Sequence, residues 1–322
     1  MSSITGYGGS QHYLLRSLAN IEKTSSSDQS EPVTPNQRQN GQANGQRLSS
    51  EASKVSLSVD ALFSISKVNQ ANNVIPSKYE QFFPAREGFS VANLALGVEN
   101  PAAQPFSQNR PFPEVAQAAR ANLDSKYEKM IESGKPFDSS SFEGVDHASL
   151  YGELDRRALH AVASNEGGIF SEKEQRIAKM YMSQQFGLAT GSYNGPTRLA
   201  GNYSHPATGQ PDQSKYAVEF LDKVGVEEKS TISWAHTRAV NQWTYEMEMS
   251  KHGLDAENLT SENPLVQLIK AALDTWPDRP GVMGGGNVEN ENDLRRQPWF
   301  VGFEDQLDAA ILRAKELYGV GD

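Results

Sequence analysis

Four side chains that could line a pocket lie close together in the second half of the chain. Trp234, His236, Arg238 and Trp243 fall in a segment that predicts a long helix. Residues three and four apart are neighbours on a helix, so Trp234 is expected beside Arg238. A pocket that combines indole rings, an imidazole and a guanidinium would be a candidate active site. The alternative is that both tryptophans anchor the core while Arg238 lies on the solvent side.

A second candidate site is the segment from Glu153 to Met182, which predicts a helix, a glycine-containing loop and another helix. This arrangement resembles an EF-hand, in which a loop between two helices binds Ca²⁺. In that alignment Glu174 takes the bidentate final position, Ser171 the water-bridged position and Asn165 the second ligand position. The resemblance implies a calcium-binding module with these three residues as metal ligands.

The same segment departs from the EF-hand pattern at two ligand positions. Ala163 occupies the first position and Gly167 the third, so Glu174 would bring the only full negative charge. Calcium affinity depends on that charge count. The alternative is an ordinary helix–turn–helix, in which Gly167 or Gly168 ends the first helix. Ser171 and Glu174 would then form a capping box at the start of the second helix.

Composition and motifs exclude several other classes of protein. The 322 residues contain no cysteine, which rules out disulfides, cysteine zinc sites and thiol nucleophiles. Thirty Lys and Arg against forty Asp and Glu give a net charge of −10, which argues against nucleic-acid binding. We find no HExxH motif, nucleophile elbow or phosphate-binding glycine loop. No common hydrolase or nucleotide-binding activity is therefore indicated.

The N-terminal part of the chain predicts little packed structure. Residues 1–23 place apolar side chains at helical spacing, which predicts a short amphipathic helix. Residues 24–54 are rich in Ser, Gln and Asn and predict a disordered linker. Residues 55–74 predict a short helix or tether. Within them, residues 55–62 read VSLSVDAL and resemble segments of bacterial flagellar and flagellum-exported proteins.

The sequence also bears on where the protein is found. No apolar run is long enough to span a membrane. The first residues lack the basic start, apolar run and small-residue cleavage site of a secretory signal. We therefore expect the protein to be cytoplasmic, or to be exported without a cleaved signal peptide.

Residues 75–322 predict a mainly α domain of about six or seven helices. The expected helices cover residues 113–134, 146–162, 171–186, 214–224, 230–252 and 264–273, with a last helix that opens at Pro298 or Phe303. The segments 81–112, 188–213 and 281–293 predict loops. Because almost no strand pattern occurs, the core is expected to form between amphipathic helix faces.

Together these features predict a bacterial, non-enzymatic protein that acts through protein–protein contacts and needs no cofactor. Two alternatives remain open. One is a calcium-binding module that uses Asn165, Ser171 and Glu174. The other is an enzyme with a pocket formed by Trp234, His236 and Arg238 together with the loop 188–213.

Overall fold

The structure is a computed structural model, and it describes residues 77–207, 209–276 and 287–319. The chain divides between Ile75 and Pro76 into two units, and all described residues belong to the second unit. The amphipathic helix, disordered linker, tether and flagellar-like segment, which the sequence predicts between residues 1 and 74, lie outside the described residues.

The described part of the chain is mainly α-helical and contains no strand, as the sequence predicts. Its helices, numbered in chain order, are α1 (Ala92–Glu99), α2 (Phe112–Glu132), α3 (Val145–Tyr151), α4 (Arg156–Ala163), α5 (Glu172–Thr190), α6 (Asp212–Leu221), α7 (Val226–Lys229), α8 (Ile232–Lys251), α9 (Pro264–Asp274), α10 (Glu291–Arg295) and α11 (Leu307–Tyr318). They outnumber the six or seven predicted helices, because several short helices interrupt segments that the sequence assigns to loops or to one longer helix.

The helix predicted over residues 146–162 is in fact two helices, α3 and α4, which are separated after Gly152. A Cβ on Gly152 would lie 1.9 Å from the carbonyl oxygen of Ser90. The backbone that precedes α1 therefore occupies the space that a side chain would need. Asp155 then caps α4 by accepting a hydrogen bond from the Ala158 N–H at 2.9 Å. The prediction of one continuous helix was wrong.

Two segments predicted as loops contain helices. α1 lies inside the predicted loop 81–112, and α10 overlaps the predicted loop 281–293. The last helix, α11, begins at Leu307 rather than at Pro298 or Phe303, where short 3₁₀ turns lie instead. α1 and α10 are too short to show a helical period in the sequence. Their formation therefore depends on contacts with the rest of the fold.

α5 is longer than the sequence predicts. It begins at the predicted Ser171 capping box but continues past Gly187, where its end was expected, as far as Thr190. Gly191, with a φ of 86°, ends the helix. A Cβ on Gly187 would lie 2.4 Å from the carbonyl oxygen of Ser192. Gly187 thus permits the following loop to approach the helix closely, rather than ending it.

Two buried apolar cores lie along the described chain, and α5 contributes to both. The first core is formed mainly by α1 to α5, and the second mainly by α6, α8, α9 and α11. Phe186 of α5 packs against the second core and lies 5.7 Å from the ring of Phe220 in α6. α4 and α7 also meet at this junction. Two of the depressions at the surface are described below.

Candidate functional site

The predicted cluster on α8 does not form a single pocket. Successive residues of an α-helix are rotated by about 100°. Trp234 and Arg238 therefore share one face of α8, whereas His236 and Trp243 share the opposite face. Residues two apart on a helix point to nearly opposite sides, so His236 lies away from both Trp234 and Arg238 although the three are close in sequence. None of the four lines either of the two cavities described below.

Arg238 is buried, although the sequence places it on the solvent side. Only 1% of its surface is exposed. Its Nε and Nη2 donate to the two carboxylate oxygens of Asp222 at 2.6 and 2.9 Å. Its guanidinium also donates to the Leu259 carbonyl at 2.8 Å and to the Gln242 side-chain oxygen at 3.1 Å. The predicted position was wrong, and Arg238 instead holds α8 to the end of α6 and to the loop before α9.

The three aromatic members of the cluster make packing contacts. Trp234 is buried, as the core interpretation predicts, and its Nε1 donates to the Leu221 carbonyl at 3.0 Å. His236 stacks on Trp299 with ring centroids 5.8 Å apart, and burial lowers the pKa of His236 to about 4. Trp243 packs against Trp276 at 5.6 Å. The imidazole is thus uncharged at neutral pH and lies in an aromatic stack.

Two of the three predicted calcium ligands, Ser171 and Glu174, make the contacts of the alternative capping interpretation. The helix before them ends at Ala163, not at Gly167 or Gly168. The Ser171 hydroxyl accepts from the Glu174 N–H, and Glu174 Oε2 accepts from the Ser171 N–H at 2.9 Å, so the predicted capping box is present. Glu174 Oε1 accepts from Arg120 at 2.7 Å. Asn165 is left-handed, with a φ of 56°, and its side-chain oxygen accepts from the Phe170 N–H at 2.9 Å.

These contacts use the side-chain oxygens of all three predicted ligands. Burial alone would raise the pKa of Glu174, but the hydrogen bonds from Arg120 and Ser171 outweigh it and hold the pKa below its usual value. Within the described ranges, no three His, Cys, Asp or Glu side chains lie together as metal ligands. Calcium binding at Asn165, Ser171 and Glu174 stays a prediction that the next experiment tests.

Replacing Ser171 by alanine is expected to lower the free energy of unfolding by about 1 kcal/mol, because α5 loses its N-cap. Urea unfolding with and without millimolar Ca²⁺ measures the loss. A capping role predicts the same loss in both buffers, whereas a calcium ligand predicts a larger loss when Ca²⁺ is present. Ser139→Ala, in an exposed loop, is the control and is expected to change stability by less than about 0.5 kcal/mol.

Ser171 and Glu174 also contribute to a cavity. A partly open cavity of about 70 Å³ lies between α2, α3 and the N-terminal turn of α5. Aromatic and titratable side chains line it, namely Tyr127, Phe137, His147, Tyr151, Ser171, Lys173, Glu174 and Ile177. We call it the α5 cavity. It brings two of the three predicted ligands together with groups that the sequence did not single out.

His147 is the most unusual group in the α5 cavity. It is 8% exposed, and its buried Nε2 has no hydrogen-bond partner among the described residues. Its ring meets the Phe137 ring edge-on, with centroids 5.3 Å apart. Burial, assisted by the positive charge of Lys173, lowers the pKa of His147. The imidazole is therefore neutral at neutral pH, and one buried polar atom remains unsatisfied.

Two tyrosines complete the wall of the α5 cavity. Burial raises the pKa of Tyr127, and the nearby Glu174 carboxylate raises it further, so this phenol stays protonated. The Tyr151 hydroxyl donates to the Glu174 carbonyl at 3.1 Å, and burial likewise raises the pKa of Tyr151. The Lys173 ammonium lies 5.8 Å from the centroid of the Phe137 ring. The cavity therefore offers hydrogen-bond donors between aromatic walls.

A second, more open depression of about 400 Å³ lies where the two cores meet. Its residues come from the loop before α2, from α4 and from the turn that begins α7. Arg157, in its wall, donates twice to Glu227, at 2.9 and 2.5 Å, and also to the carbonyls of Ser107 and Arg110. The guanidinium of Arg157 is thus hydrogen-bonded to neighbouring segments of the chain and connects them.

Sequence reasoning missed His147 and Tyr127 for a physical reason. Tyr127 belongs to the apolar stripe of α2, and His147 follows α2 by a long loop, so nothing in their spacing links them. Only the packing of α2, α3 and α5 brings them to one cavity. An imidazole beside an apolar helix face is indistinguishable in sequence from an ordinary core residue.

No protein-family model matches the chain, and neither the curated proteins nor the solved structures include a match to it. No described helix is both long enough and apolar enough to cross a membrane. The functional proposals below therefore rest on the geometry of this chain's own residues.

Proposed function

We propose that this is a bacterial, non-enzymatic protein that acts by binding another protein, and that Phe142 lies at the centre of the contact. The observation that carries the proposal is the exposure of Phe142, which is 73% and the largest among the exposed bulky apolar side chains of the described residues. Burying a phenylalanine side chain is worth about 1.5–3 kcal/mol. A partner that covers Phe142 would therefore gain this free energy of burial on binding.

The loop that carries Phe142 is held in place by its own hydrogen bonds. Asp146 of α3 accepts from the Asp138 N–H at 2.7 Å, and Asp138 accepts from the Ser140 N–H at 2.8 Å. The Ser141 hydroxyl accepts from the Asp146 N–H at 3.0 Å. Arg86 donates to Asp146 from outside the loop at 2.6 Å. The backbone beside Phe142 is therefore fixed before any partner arrives.

Backbone strain immediately after Phe142 supports the same proposal. Glu143 has a φ of 51°, a left-handed conformation that costs an L-residue about 1–2 kcal/mol. The Glu143 carboxylate pairs with Arg198, whose guanidinium lies 5.6 Å from the centroid of the Phe142 ring. Such strain persists only where surrounding contacts enforce it, and it clusters at functional sites. A rigid, exposed aromatic ring is typical of a binding hot spot.

The non-enzymatic part of the proposal is supported by what the candidate catalytic residues do. His236 and Arg238 are engaged in packing and in an ion pair, and they lie on different faces of α8. The flagellum-related or exported placement stays a prediction, because the segment 55–62 on which it depends lies outside the described residues.

Photo-crosslinking in the cells that make the protein tests the proposed contact. Replacing Phe142 by benzoylphenylalanine is expected to give a discrete crosslinked species, because the ring lies at the interface. The matched control is the same replacement at Leu312 of α11, which is 57% exposed. Identical products from both positions, or none from position 142, would contradict the proposal.

Phe142→Ala then separates binding from folding. Because the side chain is mostly exposed, the variant is expected to change the free energy of unfolding by less than about 0.5 kcal/mol. The species captured in the crosslinking experiment should bind this variant at least about tenfold more weakly, as expected when a central aromatic anchor is truncated. Unchanged affinity would show that the ring is exposed without a binding role.

A further inference from the structure

One residue that lines the α5 cavity carries a buried polar atom without a hydrogen-bond partner. His147 Nε2 is buried and has no partner among the described residues. A buried nitrogen without a hydrogen bond costs about 1–3 kcal/mol. A space of roughly 10–15 Å³ already holds one water, whereas drug-sized ligands need about 300–1,000 Å³. The α5 cavity, at about 70 Å³, therefore suits a small polar group larger than one water molecule.

The free groups of the cavity are mainly donors. Tyr127 is protonated, because burial and the neighbouring Glu174 raise its pKa. Lys173 has no carboxylate within 4.0 Å among the described residues, and its ammonium remains available at the mouth of the cavity. A neutral imidazole can place its one proton on Nε2 and donate as well. These three donors favour a group that accepts several hydrogen bonds.

The local field also favours a negative charge. The cavity lies at the N-terminal turn of α5, a helix of 19 residues, and unpaired N–H groups give a helix N-terminus a partial positive charge. The one carboxylate in the wall, Glu174, is already held by Arg120 and by both donors of Ser171. These hydrogen bonds already engage the carboxylate oxygens of Glu174, whereas Lys173 has no carboxylate partner within 4.0 Å among the described residues.

We propose that the α5 cavity is a binding site for a carboxylate group, with His147, Tyr127 and Lys173 as the hydrogen-bond donors. The carboxylate oxygens accept from these donors, and the rings of Phe137 and Tyr151 enclose the adjoining carbon. The same chemistry can come from a free small organic acid or from an acidic side chain of a polypeptide. This site is separate from the Phe142 contact and does not depend on it.

NMR of the histidine rings in the full-length protein tests the proposal. The probe is sodium acetate, titrated into ¹⁵N-labelled protein at neutral pH, with sodium chloride at matched ionic strength as the control. The expected result is a saturable shift of His147 Nε2 that chloride does not reproduce. No such shift, or an equal shift with chloride, would overturn the proposal.

Variants assign the shift to the cavity. Lys173→Ala is expected to weaken acetate binding about tenfold, because a charge-assisted hydrogen bond is lost. Lys179→Ala is the matched control, since Lys179 is an exposed lysine of the same helix that does not line the cavity. Equal acetate affinity in the two variants would overturn the proposal. Tyr127→Phe keeps the ring, removes only the hydroxyl donor and is expected to weaken binding as well.

A second titration identifies the source of the carboxylate. A blocked Gly-Asp-Gly tripeptide is compared with its Gly-Asn-Gly counterpart and with acetate. Tighter binding of the Asp peptide than of acetate supports an acidic side chain as the natural ligand, and tighter binding of acetate supports a small acid. Equal binding of the Asp and Asn peptides, without an acetate shift, overturns carboxylate recognition. The crosslinking result at Phe142 affects none of these outcomes.

Discussion

Replacing Glu228 by alanine is expected to lower the free energy of unfolding by about 3–5 kcal/mol, because it leaves a buried arginine without its counter-ion. Glu228 accepts from Arg156 Nε at 2.9 Å and from Nη2 at 2.6 Å. The two side chains are only 11% and 4% exposed. A charge at this depth cannot be rehydrated unless the surrounding helices move apart.

The Arg156–Glu228 pair lies at the junction of the two cores, which adds to the expected loss. Arg156 also donates to the Met182 carbonyl and to the Gln185 side-chain oxygen, both at 3.1 Å. Its guanidinium lies 4.8 Å from the centroid of the Phe220 ring. The Arg156 side chain, which belongs to α4, therefore contacts α5, α6 and α7. The loss of Glu228 is expected to loosen the packing of these helices.

Urea unfolding of Glu228→Ala and of a double variant measures this effect. The double variant Arg156→Met/Glu228→Leu removes both charges and keeps most of the apolar volume, so it is expected to be more stable than Glu228→Ala. Glu248→Ala, which removes an exposed ion pair with Lys251, is the control and is expected to cost less than about 1 kcal/mol. If Glu228→Ala costs no more than Glu248→Ala, the pair does not support the junction.

The parts of the fold that the sequence predicts well are those whose signals are local. α8 was expected over residues 230–252 and spans Ile232–Lys251, with Thr231 as its N-cap. α9 was expected from Pro264 and begins there, capped by the Asn263 side chain. A cap, a helical period and a terminating residue all lie within one short stretch, so each helix can be recognised without knowledge of its neighbours.

The parts that could not be predicted depend on residues far apart in the chain. The break at Gly152 exists because the Ser90 carbonyl approaches it closely, and no local signal reports that approach. In α11 the large apolar residues Leu312 and Leu317 are exposed, while the smaller Ala314 is buried. Helical spacing identifies a face, but the neighbouring elements decide which face is covered.

The candidate site follows the same rule. Ser171 and Glu174 were identified because a capping box and an EF-hand loop share the same local spacing. Arg120 of α2 donates to one oxygen of Glu174, and no local pattern reports that contact. His147 joins the cavity only through tertiary packing. Local patterns thus located Ser171 and Glu174, whereas tertiary packing brings the other lining residues beside them.

Replacing Arg238 by alanine is expected to lower the free energy of unfolding by about 3–5 kcal/mol, a loss comparable to that of Glu228→Ala. The substitution removes a large side chain that is 99% buried and opens a cavity in its place. It also removes the donors to the Leu259 carbonyl and to the Gln242 side-chain oxygen. The contact to Leu259 crosses from α8 to the loop before α9, so the loop is expected to lose its anchor.

Two further variants separate these contributions in urea unfolding. Arg238→Met keeps most of the buried volume and is expected to cost less than Arg238→Ala, so that the difference reports the cavity. Arg176→Ala removes an exposed arginine that pairs with Glu172 in α5, and it is expected to cost less than about 1 kcal/mol. If Arg238→Ala and Arg176→Ala lower the free energy of unfolding equally, the buried contacts of Arg238 do not stabilise the fold more than an exposed ion pair does. A large loss in Arg238→Met as well as in Arg238→Ala would show instead that the hydrogen bonds, more than the volume, hold α8 to the end of α6.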